Sequence, residues 1–285
     1  MAKPRLGAHM SIDGGPANAL LRGQQIGCET IQIFTRNASR WTSRDLNTQE
    51  INDFMRAYQT AGISPVVAHS SYLINLGSPD DILWEKSISA ATEITRCAAL
   101  SITTYILHPG AHMGAGEEAG LARIVSGLDR TLEDTPGADV VITLEITAGQ
   151  GSSLGCSFEH LGYMVSHCKY SERLGICFDT AHALAAGYEY RQRDAYEAMW
   201  SHFDSAIGMG KLRAIHMNDS KKDLNSHVDR HEQIGQGFVN LETFRMLLND
   251  PRLVSVPMIL ETPKGPEMLE DIQNLAMLRS LIAPQ

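Results

Sequence analysis

Eight short runs of aliphatic and β-branched residues set the narrowest limit on how this 285-residue chain can fold. Each ends at a polar residue and is followed by a helical stretch. They are RLGAHM (5–10), TIQIFT (30–35), SPVVAHS (64–70), TTYILHPG (103–110), VVITLEIT (140–147), RLGICFDT (173–180), LRAIHMND (212–219) and VPMILET (256–262). Strands that alternate with helices imply right-handed βαβ units and a parallel sheet. Eight of them in under 300 residues predict an α/β chain, a single (β/α)8 TIM barrel over 1–285, with an open doubly wound sheet as the rival. No G-x-G-x-x-G follows the first run, which argues against dinucleotide binding. Helical spacing of apolar residues marks 81–99 (Ile82, Leu83, Ile88, Ile94) and 268–282 (Met268, Leu269, Ile272, Leu275, Leu278).

Composition removes several classes. Hydrophobic content of 43% and charged content of 20% are those of an ordinary globular protein. No apolar run is long enough to span a bilayer, and MAKPRLGAHMS lacks the apolar core of a signal peptide. Five cysteines without a C-x-x-C pair read as reduced, mostly buried thiols, so a cytoplasmic location is expected. A net charge of −9 argues against a surface coated in basic patches.

The chemistry of such a barrel belongs at the C-terminal ends of its strands. The residues read there are His9, Thr35, His69, His108, Glu145, Asp179, His216 and Glu261, seven of which can bind a metal. Taken alone, a strand-end histidine is more often a hydrogen-bonded structural residue. Glu145 and Glu261, however, follow the apolar runs VVITL and VPMIL, where an ionised carboxylate is costly without a cation or a strong donor. FDTAH sets Asp179 and His182 three apart, and VDRH sets Asp229 and His231 two apart. Five imidazoles (His69, His108, His182, His216, His231) and four carboxylates (Glu145, Asp179, Asp229, Glu261) exceed what one tetrahedral zinc accepts and suit two or three ions with bridging carboxylates. Three dications against four acids would make the mouth locally cationic, a means of drawing an anion to an acidic protein. Of the other histidines, His9 is expected to support the ligands by hydrogen bonding, His112 and His227 to lie near the mouth, and His160, His167 and His202 on the surface.

The motifs GAHMSIDGG, HSSYLINLG, LHPGAH, LEITAGQGSSLG, GICFDTAHALAAG and HMNDSKKDLNSHVDRHEQIGQG, in order over about residues 5–262, resemble those of the endonuclease IV family of apurinic/apyrimidinic (AP) endonucleases. The resemblance implies three Zn²⁺ ions, with Mn²⁺ an alternative in one site. His69, His108 and Glu145 would hold one ion. Glu145, Asp179, His216 and Glu261 would hold the second, and His182, Asp229 and His231 the third. It implies hydrolysis 5′ to an abasic site in duplex DNA by a metal-bound hydroxide, leaving a 3′-hydroxyl and a 5′-deoxyribose phosphate, and trimming of blocked 3′ ends. Glu261 would act as base and Glu145 as bridge. Tyr72 and Leu73 match the positions that wedge into the duplex, while Asn37, Arg40, Lys221 and Arg230, with Arg36, Arg44 and Lys222, are the expected DNA contacts. Two positions depart from the family pattern. Ser39 stands where an inserting Arg is common, leaving Arg40 beside Trp41, and Ile146 stands where Asn often follows the bridging Glu. No membrane and no obligatory protein partner are implied, and a monomer is expected. The rival readings are a sugar isomerase or epimerase of the related barrel type, with one or two metals, and a non-catalytic binder of damaged DNA.

Overall fold

In the computed structural model, which describes residues 3–42 and 44–284, eight parallel strands close into a barrel. They are β1 (Arg5–Met10), β2 (Thr30–Phe34), β3 (Val66–His69), β4 (Thr104–Leu107), β5 (Val141–Glu145), β6 (Leu174–Asp179), β7 (Leu212–His216) and β8 (Pro257–Leu260). Each pairs with its neighbours in sequence, and β1 pairs with β8 to complete the ring. The strands lie within the eight runs read from sequence. Side chains alternate sides along a strand, so each strand sends one set outward against the helices and the other into the lumen. The outward set merges with the helices into the main core. The inward set includes a separate apolar layer of Val67, Ile106, Cys177, Ala214 and Ile259. Two residues further along those strands stand His69, His108, Asp179, His216 and Glu261, and Glu145 follows the buried Thr143 at the same interval. The period of two therefore stacks the polar residues as the lid of an apolar plug.

The helices depart from expectation in two places. The stretch 81–99 is two helices, α1 (Asp81–Ala91) and α2 (Ile94–Ala99), separated where Glu93 turns inward to accept hydrogen bonds from Arg36 and Thr35. Ile82, expected on an apolar face, is 71% exposed in the first turn of α1. In the last helix (Leu269–Ser280), Leu275 and Leu278 are buried, but Leu269 and Ile272 face solvent, because the buried face runs through Asp271, Asn274, Leu275 and Leu278. Four of the five cysteines are buried and all are free thiols. No helix among the described residues is long and apolar enough to cross a membrane.

Closure between β1 and β2 requires a residue without a side chain at position 7, where a Cβ would lie 1.6 Å from the Thr30 carbonyl oxygen. Gly7→Ala should lower the unfolding free energy by more than about 3 kcal/mol, read from the urea midpoint, because two main chains would have to part. Gly210→Ala, with nothing within 4 Å of the new carbon, should stay within about 0.5 kcal/mol of the parent.

Candidate metal centre

Glu145 ends β5 with no solvent exposure, and its two oxygens face four imidazoles. Oε2 lies 3.0 Å from both His69 Nε2 and His108 Nε2, while Oε1 lies 3.0 Å from His216 Nδ1 and 3.2 Å from His182 Nδ1. Burial alone would push this carboxyl up, but His216 and His108 overcome it and hold Glu145 well below the usual carboxylate range. Glu261 behaves alike: burial opposes ionisation, and His216 and His9 hold its carboxyl low. Its Oε2 is 3.1 Å from His216 Nδ1.

Asp179 has two tasks. Its Oδ1 caps the helix α3 (Thr180–Ala186) by accepting from the His182 backbone N–H at 2.7 Å, which accounts for the three-residue spacing in FDTAH. Its Oδ2 is then free to face His216 Nδ1 at 3.7 Å and His231 Nε2 at 3.8 Å. Around His182 Nε2, Asp229 Oδ1 lies at 3.3 Å and His231 Nε2 at 3.4 Å, and the two partners are 3.5 Å apart. Ligand atoms about 2.0–2.1 Å from a tetrahedral zinc are separated by roughly 3.3–3.4 Å, so this triangle has the dimensions of one face of such a site.

Three groups thus have donor atoms close enough to share an ion: His69, His108 and Glu145; Glu145, Asp179, His216 and Glu261; and Asp179, His182 and His231. Asp229 closes the third from the solvent side, with its side chain 43% exposed. The proton positions also fit a cation. His69 Nδ1 lies 2.9 Å from the Ser70 carbonyl, His182 Nδ1 2.9 Å from the Ile146 carbonyl, and His231 Nδ1 3.3 Å from the Glu261 carbonyl. A carbonyl can only accept, so each ring in its neutral form carries its proton there and turns a lone pair toward the acids. Lone pairs facing carboxylates are an arrangement that a cation completes.

A family model described as "Xylose isomerase-like TIM barrel" matches residues 21–281. The curated "Probable endonuclease 4" of Chloroflexus aurantiacus is 50% identical over 280 residues, covering 98% of each chain. The chain belongs to the endonuclease IV family. It is accordingly a nuclease. The "Probable endonuclease 4" of Geobacter sulfurreducens is 46% identical over 278 residues, 97% of this chain and 94% of that one. The crystal structure of endonuclease IV from Thermus thermophilus aligns with a TM-score of 0.87 at 34% identity, covering 98% of both chains. A D-tagatose 3-epimerase-like protein, at 17% identity and a TM-score of 0.73, shares the fold; the alignment covers 97% of this chain and 96% of that one.

In this member of the endonuclease IV family, several residues that hold the site are not among those read from sequence. Asn218 donates to Asp179 Oδ2 at 2.7 Å and accepts from the Glu261 backbone N–H at 2.8 Å. Asp219, fully buried, accepts four backbone N–H bonds, from Ser220, Gly235, Gly237 and Val239, at 2.8–3.0 Å. That explains the Gly-x-Gly closing the loop: a Cβ at Gly237 would lie 2.3 Å from the Ser220 carbonyl and 2.5 Å from Asp219 Oδ1. Residues 219–220 pair antiparallel with 231–232, which returns Asp229 and His231 to the mouth. Ile146 contributes its carbonyl to His182 while its side chain is buried in the main core, so the departure from the family pattern at 146 falls on the apolar side.

The rim residues divide. Tyr72 and Arg230 line a cleft of about 400 Å³ together with His108, His182 and Asp229, and Tyr72 is 70% exposed. Leu73, next to it, is half-buried, with its N–H on the Ser71 hydroxyl. Asn37 and Arg40 are exposed on the neighbouring loop, tied to the Tyr72 loop by the bond from the Ser71 hydroxyl to the Ala38 carbonyl. Asn37 Oδ1 accepts from the backbone N–H and hydroxyl of Ser39. Lys221 is half-exposed beside Glu232. Arg36 is not available to a phosphate: two residues past β2, it is buried and paired with Glu93 at 2.7 Å. Arg44 is held by both oxygens of Glu50. His112 caps its own loop, accepting from Gly114 and Gly116, while His160 pairs with Glu117 and is largely buried, not on the surface.

Asp219→Asn replaces one acceptor oxygen by a donor that faces other donors. It should cost about 1–3 kcal/mol and loosen the 229–231 segment. The expected readout is a lower metal content per chain by elemental analysis, with the far-ultraviolet circular dichroism of the barrel preserved.

Proposed function

We propose that the protein is a DNA-repair AP endonuclease that hydrolyses the phosphodiester 5′ to an abasic site in duplex DNA and trims blocked 3′ ends, using three zinc ions. The observation that carries the reading is the convergence on one rim of eight side chains in ligand-sized groups, with Asp229 beside His182 and His231 as the ninth, and imidazole lone pairs turned toward carboxylates. His69, His108 and Glu145 would hold one ion, Glu145, Asp179, His216 and Glu261 the second, and His182, Asp229 and His231 the third, with Asp179 near enough to contribute. When bound, zinc brings the pKa of a coordinated water down to about 7 and sets positive charge against the phosphate oxygens.

The chain's own residues do the rest. Glu261, its backbone fixed by Asn218, takes the proton of the attacking water as the new oxygen–phosphorus bond forms. The bond from phosphorus to the 3′ oxygen breaks in line, and the departing 3′ oxygen takes a proton from solvent while Glu261 returns its own, leaving a 3′-hydroxyl and a 5′-deoxyribose phosphate. Tyr72 stands on the same cleft as His108 and His182, placed to fill the gap left by the missing base, and Arg230 beside it to meet a phosphate. An abasic site has already lost part of its stacking, so opening the duplex there costs less than at an intact pair.

Elemental analysis of purified protein should give close to three metals per chain, and a duplex with one tetrahydrofuran abasic analogue should be nicked. A single metal and no nicking after zinc and manganese resupply would instead favour the sugar-isomerase reading. Glu261→Gln should keep DNA affinity and lower kcat by about 10³-fold; normal turnover would remove the base role. Tyr72→Ala should weaken binding to the abasic duplex by roughly 10-fold or more, as expected from the loss of about 1–3 kcal/mol of stacking. Intact duplex should be nearly unaffected. Arg40→Ala run in parallel decides whether that side chain shares the role: equal loss on both duplexes makes it a phosphate contact only.

A further inference from the structure

Gln32 is a fully buried carboxamide inside the barrel, at the register position of Val67 on one neighbour and His9 on the other. Its Nε2 contacts Glu261 Oε1 and lies 2.9 Å from His9 Nδ1, while its Oε1 lies 2.8 Å from His216 Nε2. Only one orientation of the amide satisfies all three neighbours. An amide oxygen turned to Glu261 would set two acceptors together, so the NH₂ faces the carboxylate. The oxygen then faces His216 Nε2, which must carry the proton. In the neutral ring, the form that binds a cation, that leaves the lone pair on His216 Nδ1, the atom 3.0 Å from Glu145 Oε1 and 3.1 Å from Glu261 Oε2.

We infer that Gln32 is a positioning residue that fixes the proton of His216 on Nε2 and orients Glu261, so that both present lone pairs to the central cation site. The inference rests on the metal reading proposed above. His69, His182 and His231 have their protons fixed by main-chain carbonyls, which no substitution removes. His216 depends on a side chain. The same amide spans the ligand and the proposed base, so one group sets both the affinity of the central site and the direction of the Glu261 carboxylate. A space-filler at this position needs no polar atoms, as Val67 in the adjacent register shows.

The test is Gln32→Met in the full chain, similar in length but without hydrogen bonds to either partner; Gln32→Leu serves equally should the first fail to fold. Zinc titration against a chromophoric chelator should resolve three binding steps in the parent, with one step weakened about 10–100-fold in the variant. On the abasic duplex, kcat should fall while KM stays within about twofold, the split expected of a group acting on the reacting centre and not on DNA binding. In imidazole ¹⁵N spectra, the His216 Nε2–H signal should be fixed in the parent and averaged between tautomers in the variant. Unchanged zinc steps with an unchanged His216 signal would overturn the inference, as would equal weakening of all three steps with only a lower Tm. A parent chain that takes up no zinc would sink the functional proposal instead, and the His216 signal would still decide the role of Gln32.

Discussion

The structure turns on the buried carboxylate of Glu145. A carboxylate with no solvent exposure carries a desolvation penalty of several kcal/mol unless positive charge or strong donors meet both oxygens. Here two imidazoles from different elements converge on each oxygen, and a cation shared between their lone pairs and the carboxylate would supply that charge. The penalty is therefore also a constraint: β3, β4, β7 and the helix after β6 must all close to the right distance for the carboxylate to be satisfied. A barrel in which one of these strands slipped by a single residue would turn its ligand outward and place an apolar side chain in the polar layer. The polar layer and the register of the strands hold each other in place.

That coupling also explains why ligands dispersed over two hundred residues share a single rim. Five strands, β3, β4, β6, β7 and β8, each supply one inward position in the apolar plug and, two residues on, a residue at the mouth, and β5 places Glu145 there by the same interval after Thr143. His108 and Glu261 stand one residue past the ends of β4 and β8, whereas Asp229 and His231 come from a loop far in sequence from any barrel strand and need a support of their own. Asp219 supplies it by gathering four N–H groups of the returning loop. The loop is irregular because its main chain is organised around a buried carboxylate rather than by pairing along its length.

The strands and the nine converging side chains are legible in the sequence because most obey a simple rule, a short apolar run followed by a polar residue. What escapes obeys no such rule. Gln32 lies between two isoleucines in TIQIF, and a single polar residue inside an apolar strand is the available signal. Asp219 is one acid among several in its loop, and nothing local distinguishes the residue that turns in toward the main chain from those that face out. Arg36 reads as a rim cation by its motif. Its burial depends on Glu93, 57 residues away, which also breaks the helix expected over 81–99. These are consequences of long-range pairing, to which periodicity is blind.

The buried Arg36–Glu93 pair gives the rim its stiffness. Arg36 donates to the Arg40 carbonyl, and Arg96 donates to the carbonyls of Arg44 and Thr35 at 2.7 and 2.8 Å. Two guanidinium groups thus hold the main chain of the loop carrying Asn37 and Arg40 from below, leaving those two side chains exposed. On the proposed reading, in which these loops press into duplex DNA, such support would matter, because a loop that yields before the DNA does cannot transmit force to it. Removing a basic residue from the rim to serve as this clamp is compatible with the chain's net charge of −9, since cations held at the mouth can supply the local positive field that the surface lacks. Attraction of DNA and its hydrolysis would then draw on the same ions, and selectivity would fall to the clamped loops.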